Sequence, residues 1–210
     1  IYTSAQNLNL LWKQLKVAEQ NDAPKTQLAL LKQIEQKALT AHRYGDALLA
    51  QWKSFQVYGN LSADSVEVYL KKINHKAENY KNKDVVLYSL HHALLAQAYR
   101  FYAYELNNAR DLEQQHWDKA FLNVNVLGQT NSLKYAPFIE KGADGVVFNN
   151  DLLHVLGFSA SRFNTLYTYY NQQKNKSACC IVEAKQLDNM ANKEYTQRGL
   201  NRYLARQIRY

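Results

Sequence analysis

Apolar residues recur at intervals of three and four along most of this chain, the period of a helix that buries one face. In residues 6 to 20, Leu8, Leu11, Trp12, Leu15 and Ala18 form such a stripe, with Lys13, Lys16 and Glu19 between them. Asn21-Asp22-Ala23-Pro24 interrupts the pattern; Pro suits the first position of a helix, and Asp22 just before it is a candidate cap. A second helix is predicted from about Pro24 to Ala41, buried through Leu28, Leu31, Ile34 or Glu35, Ala38 and Ala41. A third runs from about Tyr44 to Tyr58, buried through Ala47, Leu48, Gln51, Trp52 and Phe55. The short connections make these helices antiparallel neighbours.

Gly59-Asn60 reads as the end of the third helix, and Ser62, with Ser65 and Glu67 nearby, caps a fourth whose stripe is Val66, Tyr69, Leu70, Ile73 and Ala77. Asn82 to Asp84 then opens the longest periodic segment, Val85 to Leu106. Val85, Tyr88, His92, Leu95, Ala96, Tyr99, Tyr102 and Leu106 share one face of it; Leu87, Leu90, Leu94, Ala98 and Phe101 share a second. A helix apolar on two sides belongs at the centre of a fold. Residues 107 to 115 are polar, and Trp117, Ala120, Phe121, Val124 and Leu127 predict a sixth helix ending near Gly128. The segment 129–149 holds Pro137, Gly142 and Gly145 and is the longest connection. Further helical patterns lie at about 149–157, 159–173, 175–190 and 194–209, separated by Gly157-Phe158-Ser159, Lys174-Asn175 and Asn192. The expected fold is all-α: antiparallel helix pairs stacked in series, an α-solenoid or tetratricopeptide-like arrangement, although no repeat with the characteristic Trp, Gly and Ala positions aligns. An N-terminal array over 1–128, the connection 129–149 and helices over 150–210 packed on the same array are expected to form one continuous domain.

Composition agrees. Seven Gly and two Pro in 210 residues are too few for an all-β chain with frequent turns, and 47% hydrophobic residues exclude disorder. No apolar run approaches the roughly 20 residues that span a bilayer. The chain opens at Ile1 with no basic-then-apolar leader, so any targeting peptide is expected to lie outside it. The helical pattern still runs at Tyr210, and more chain is expected beyond that edge.

Candidate chemistry is sparse. His91-His92 has Leu95 and Ala96 where a second metal ligand would stand one turn on, so a core histidine bonded to a tyrosine outweighs a metal site. Asp151 and His154, three apart on one helix face, have the spacing of a base and its orienter, but a local stabilising contact is the plainer reading. Cys179 and Cys180 are adjacent, point about 100° apart on a helix, and read as small buried residues rather than a disulfide or a reactive thiol. No catalytic, cofactor-binding or metal-binding residue is assigned. The net charge of +8 is half concentrated in residues 193–210, where Lys193, Arg198, Arg202, Arg206 and Arg209 oppose Glu194 alone. The four arginines line one helix face that could track phosphates, but no nucleic-acid motif accompanies them, and a docking edge for protein explains them better. Sixteen tyrosines are the other oddity. Tyr99 and Tyr102, with Tyr88 and Tyr104, and separately Tyr167, Tyr169 and Tyr170, suit the grooves and rims between helices, where ligands or partner proteins also bind, although ordinary helix-helix packing is the plainer reading. Arg198, Arg202, Arg206, Arg209, Tyr99 and Tyr102 are therefore the candidate interaction surface.

Trp12 followed by Pro24-Lys25-Thr26-Gln27-Leu28, with Ile34 and Ala38 after it, resembles the N-terminal helical region of the large alpha-2-macroglobulin-like proteins of Bacteroidetes-type bacteria. Gln27 stands where that motif more usually has Ala. Phe148-Asn149-Asn150-Asp151-Leu152-Leu153-His154-Val155-Leu156-Gly157, then Leu166-Tyr167, Tyr169-Tyr170 and Ala178, resembles later helices of the same region. The resemblance implies an exported envelope protein of a protease-trapping family, periplasmic or anchored at the outer membrane. Its thioester signature Cys-Gly-Glu-Gln is absent here. On that basis this region is a non-catalytic accessory domain that docks on the rest of its own polypeptide or on another envelope protein. The alternatives are a free-standing tetratricopeptide-like adaptor for a peptide or acidic segment, and an enzyme using Asp151 and His154.

Overall fold

A computed structural model describes residues 2–139 and 151–172, and all the regular structure among them is helical. The helices are α1 (Tyr2–Gln20), α2 (Pro24–Thr40), α3 (Tyr44–Leu61), α4 (Ala63–Tyr80), α5 (Val85–Phe101), α6 (Ala109–Ala120), α7 (Val124–Gln129), α8 (Leu152–Ser159) and α9 (Phe163–Gln172), with a short 3-10 turn at Ser132–Tyr135. No helix among the described residues is long and apolar enough to cross a membrane. The patterns at 175–190 and 194–209 lie outside the described residues.

The chain divides into two compact units. The first comprises α1 to α6 together with residues 133–140. Consecutive helices pack against each other from α1 through α6, and α5 also touches α3, giving a stack of antiparallel hairpins. Leu8, Leu11 and Leu15 of α1 meet Leu31, Ile34 and Ala38 of α2 and Ala47, Ala50 and Val57 of α3 in one apolar cluster. The five stripe residues of α4 are its buried set. Helix α5 is buried from Leu87 to Ala96 without interruption, as its two apolar faces require. At about 1.5–3 kcal/mol for each large aliphatic side chain removed from water, this burial holds the stack together.

Local signals begin the helices. The Ser62 hydroxyl accepts from the Ser65 amide at 3.2 Å, and the Asp84 carboxylate accepts from Val86 and Leu87 at 3.0 and 2.9 Å. The turns after α1 and α2 are built alike. Asp22 (φ 46°) and His42 (φ 54°) adopt the left-handed conformation. The next amide then reaches back, Ala23 to the Ala18 carbonyl at 3.1 Å and Arg43 to the Ala38 carbonyl at 2.8 Å. These are Schellman closures made without glycine. Asp22 is therefore a turn residue rather than a cap; the N-cap position of α2 falls on Ala23, which makes no side-chain bond.

Three expected boundaries move. Gly59 continues α3 to Leu61, because the Tyr102 ring packs where a β-carbon would stand. Helix α5 stops at Phe101, ahead of the left-handed Asn108 (φ 55°). The expected sixth helix is two, α6 and α7, broken at 121–123, and the halves belong to different units.

The second unit contains 124–132 and, among its described residues, α8 and α9. Here Asn131 pairs with Asp151, and the Leu152 amide donates to the Thr130 carbonyl at 2.9 Å. Ser161 (φ 55°) repeats the turn of the first unit, with Arg162 donating to the Gly157 carbonyl at 2.8 Å.

Candidate functional site

The densest polar chemistry in the first unit lies inside it, between α4, α5 and α6. Asp84 fixes the start of α5, and adjacent residues on a helix diverge by about 100°, so His91 and His92 face different neighbours. His91 turns to α4: its ring stacks on Tyr80 at 5.1 Å, and its Nδ1 lies 2.7 Å from the Leu87 carbonyl one turn back. A carbonyl only accepts, so Nδ1 of His91 carries the proton.

His92 turns to α6. Its Nδ1 lies 2.9 Å from Nδ1 of His116, and the two rings stack at 5.0 Å. Tyr88 meets His92 edge-on at 4.4 Å, and Tyr99 lies nearly parallel to His116 at 5.4 Å. On the far side of His92, Glu78 Oε1 stands 3.6 Å from Nε2 and also accepts from Lys119 Nζ at 2.8 Å. The carboxylate favours a proton on His92 Nε2, which makes His92 Nδ1 the acceptor and His116 Nδ1 the donor. Burial pushes all three imidazoles below their ordinary range: His91 to about 4, His92 to about 3 with His116 and Lys119 adding repulsion, and His116 to about 4 with Lys119 again opposing charge. At neutral pH they are uncharged. His92 has no exposed side-chain surface, so the pair fastens α6 to α5 and is closed to a substrate while α6 stays in place.

Two further polar junctions tie the earlier helices. Asp46, almost fully buried, accepts from Trp12 Nε1 and from Arg43 Nε, both at 2.8 Å, and so joins α1 to α3. Glu35 of α2 accepts from Gln51 Nε2 of α3 at 2.8 Å and pairs with Lys76 of α4. The Tyr69 hydroxyl donates to the Gln51 carbonyl at 3.1 Å, and burial raises its pKa.

Asp151 is the N-cap of α8: it accepts from the backbone amide of His154 at 2.8 Å and from the Tyr170 hydroxyl at 2.6 Å. Its contact with His154 thus runs through the backbone, while the His154 ring stacks on Phe158 at 4.7 Å. Burial raises the Asp151 pKa, with these donors opposing, and lowers that of His154 to about 4. Tyr99 and Tyr102 sit inside the packing, each 8% exposed, Tyr102 edge-on to Phe55; the open rings at this end of α5 are Phe101 and Tyr104, at 67% and 93%. Arg198, Arg202, Arg206, Arg209, Cys179 and Cys180 lie outside the described residues.

Among the described residues no three His, Cys, Asp or Glu side chains gather as a metal site. The expected tyrosine hydrogen bond to the His91-His92 pair is replaced by bonds to a carbonyl and to a third histidine. Sequence reasoning missed His116 because it stands at the edge of a stretch read as polar connection. Its spacing from Ala109 and Ala120, both buried on α6, carried the signal. No family model, curated protein or solved structure matches the chain.

Proposed function

We propose that this chain is a non-catalytic helical-hairpin module that binds protein. The observation carrying this reading is the distribution of its polar and apolar groups. Asp46, Glu35, His91, His92 and His116 are engaged with neighbouring helices or their own backbone, whereas the Phe101 and Tyr104 rings stand open, and Leu61 and Val68 are exposed as well. Open rings of this kind are the usual anchors of protein interfaces.

The motifs at 24–38 and 148–170 support a finer reading, in which the module is the accessory helical region of an alpha-2-macroglobulin-like envelope protein and docks on the rest of that polypeptide. The test is to mix the purified chain with the separately expressed remainder of its reading frame and follow the complex by calorimetry. Association that weakens at least tenfold in Phe101→Ser/Tyr104→Ser, with the melting temperature of the module unchanged, is expected. Association with a short acidic peptide but not with the remainder would favour a free-standing tetratricopeptide-like adaptor. Turnover of an ester, phosphate or peptide substrate that falls in Asp151→Asn would overturn the non-catalytic reading.

A further inference from the structure

We propose that the His92–His116 contact is an acid-opened latch between α5 and α6. Two imidazoles facing each other through Nδ1 at 2.9 Å share one proton, donor on one ring and acceptor on the other. A first added proton leaves an N–H···N bond but places a charge in a seam where His92 is fully buried and His116 is 6% exposed. A second added proton leaves two N–H groups face to face, with like charges on both rings.

The surroundings offer little relief. From α4, Glu78 is the single carboxylate that faces the pair, and Lys119 of α6 already occupies it at 2.8 Å. Lys81 follows α4, His91 adjoins on α5, and Tyr88 and Tyr99 contribute neutral rings. The groups facing the pair are therefore predominantly cationic or neutral, and acid is accommodated by moving α6 away so that both rings reach water. Opening then takes up as many as two protons, and its equilibrium steepens by up to about a hundredfold per pH unit between the free-histidine range and the buried one. His91 faces Tyr80 of α4, so its own titration loosens a different contact.

Hydrogen exchange, corrected for the intrinsic rate, reads the latch helix by helix. Between pH 7 and pH 5, protection of the α6 amides is expected to fall at least tenfold more than that of the α2 amides, since α2 contains no histidine. In His92→Gln/His116→Gln, which keeps hydrogen-bonding side chains that do not titrate, this excess loss in α6 is expected to disappear. Unchanged α6 protection in the native chain, or an equal excess loss in the double variant, would overturn the latch. Should the double variant fail to fold at pH 7, His116→Gln alone decides: about half the native logarithmic loss supports the latch, and the full loss overturns it.

Discussion

Gly45 sits in the first turn of α3, and a β-carbon there would run into the backbone carbonyls of Tyr135 and Ala136. Gly45→Ala therefore sets two terms against each other. Alanine is a better helix former by up to about 1 kcal/mol. Against that, the 3-10 turn Ser132–Tyr135 must lift away, because a carbonyl in the main chain cannot rotate aside as a side-chain tip can. The Tyr135 ring, 9% exposed, goes with it. A buried tyrosine covers roughly 150–200 Å², worth about 4 kcal/mol at ~25 cal/mol per Å²; losing half to three-quarters of it leaves a net destabilisation of about 1–2 kcal/mol. For a chain of this size that is a fall of roughly 2–8 °C in melting temperature, read by circular dichroism with urea titration as the second measure. In a Tyr135→Ala background the same substitution should cost about 2–3 kcal/mol less, since the ring burial at stake is already gone. Gly45→Ala melting at or above the native chain would refute the close approach on which this reasoning rests.

Asp46→Asn should destabilise by about 1–3 kcal/mol in urea, because one amide oxygen replaces two carboxylate oxygens for the Trp12 and Arg43 donors. An Asp46→Asn chain as stable as the native one would remove Asp46 as the link between α1 and α3. His42→Gly should stabilise by about 0.5–1 kcal/mol, since glycine takes the left-handed conformation of φ 54° without steric cost; a lower thermal midpoint would contradict the turn geometry. Stability should also depend on pH. His91, His92 and His116 titrate lower in the folded chain than the ordinary 6.5, so the unfolded chain binds more protons in between. Their contribution is full above about pH 6.5 and is lost as pH falls towards 4, at about 2 kcal/mol for each at pH 5. Equal urea midpoints at pH 7 and pH 5 would show that the three rings are not held neutral by the fold.

Much of the hairpin stack was legible before any coordinates. The stripes of α1 and α4 name their buried residues almost without error, because burial of one helix face is written directly in a period near 3.6. Capping was legible at Ser62, where a side chain bonds its own following turn. Two of the glycines mislead. Gly59 and Gly157 look like helix ends in a linear reading, yet each lies within a helix and is small because a side chain from outside that helix approaches it, the Tyr102 ring at Gly59 and Leu166 at Gly157; beside Gly128, α7 does end. Such an approach has no local signature. The helix ends fell instead beside Asp22, His42 and Ser161, residues that tolerate positive φ less readily than glycine and so do not advertise it.

The candidate chemistry divides in the same way. Periodicity placed His92 on an apolar face and Asp151 at the start of a helix, and these are properties of the chain over a few residues. That His92 meets His116, that Glu78 backs it, and that Asp151 meets Tyr170 depend on how helices cross, and those contacts join residues 14 to 24 positions apart. The sequence by itself determined an all-α fold, the buried faces of its helices and the absence of a helix-local metal motif among its histidines. Only the tertiary structure decided which polar groups meet in the interior, because burial is encoded by each helix separately whereas pairing is a property of two.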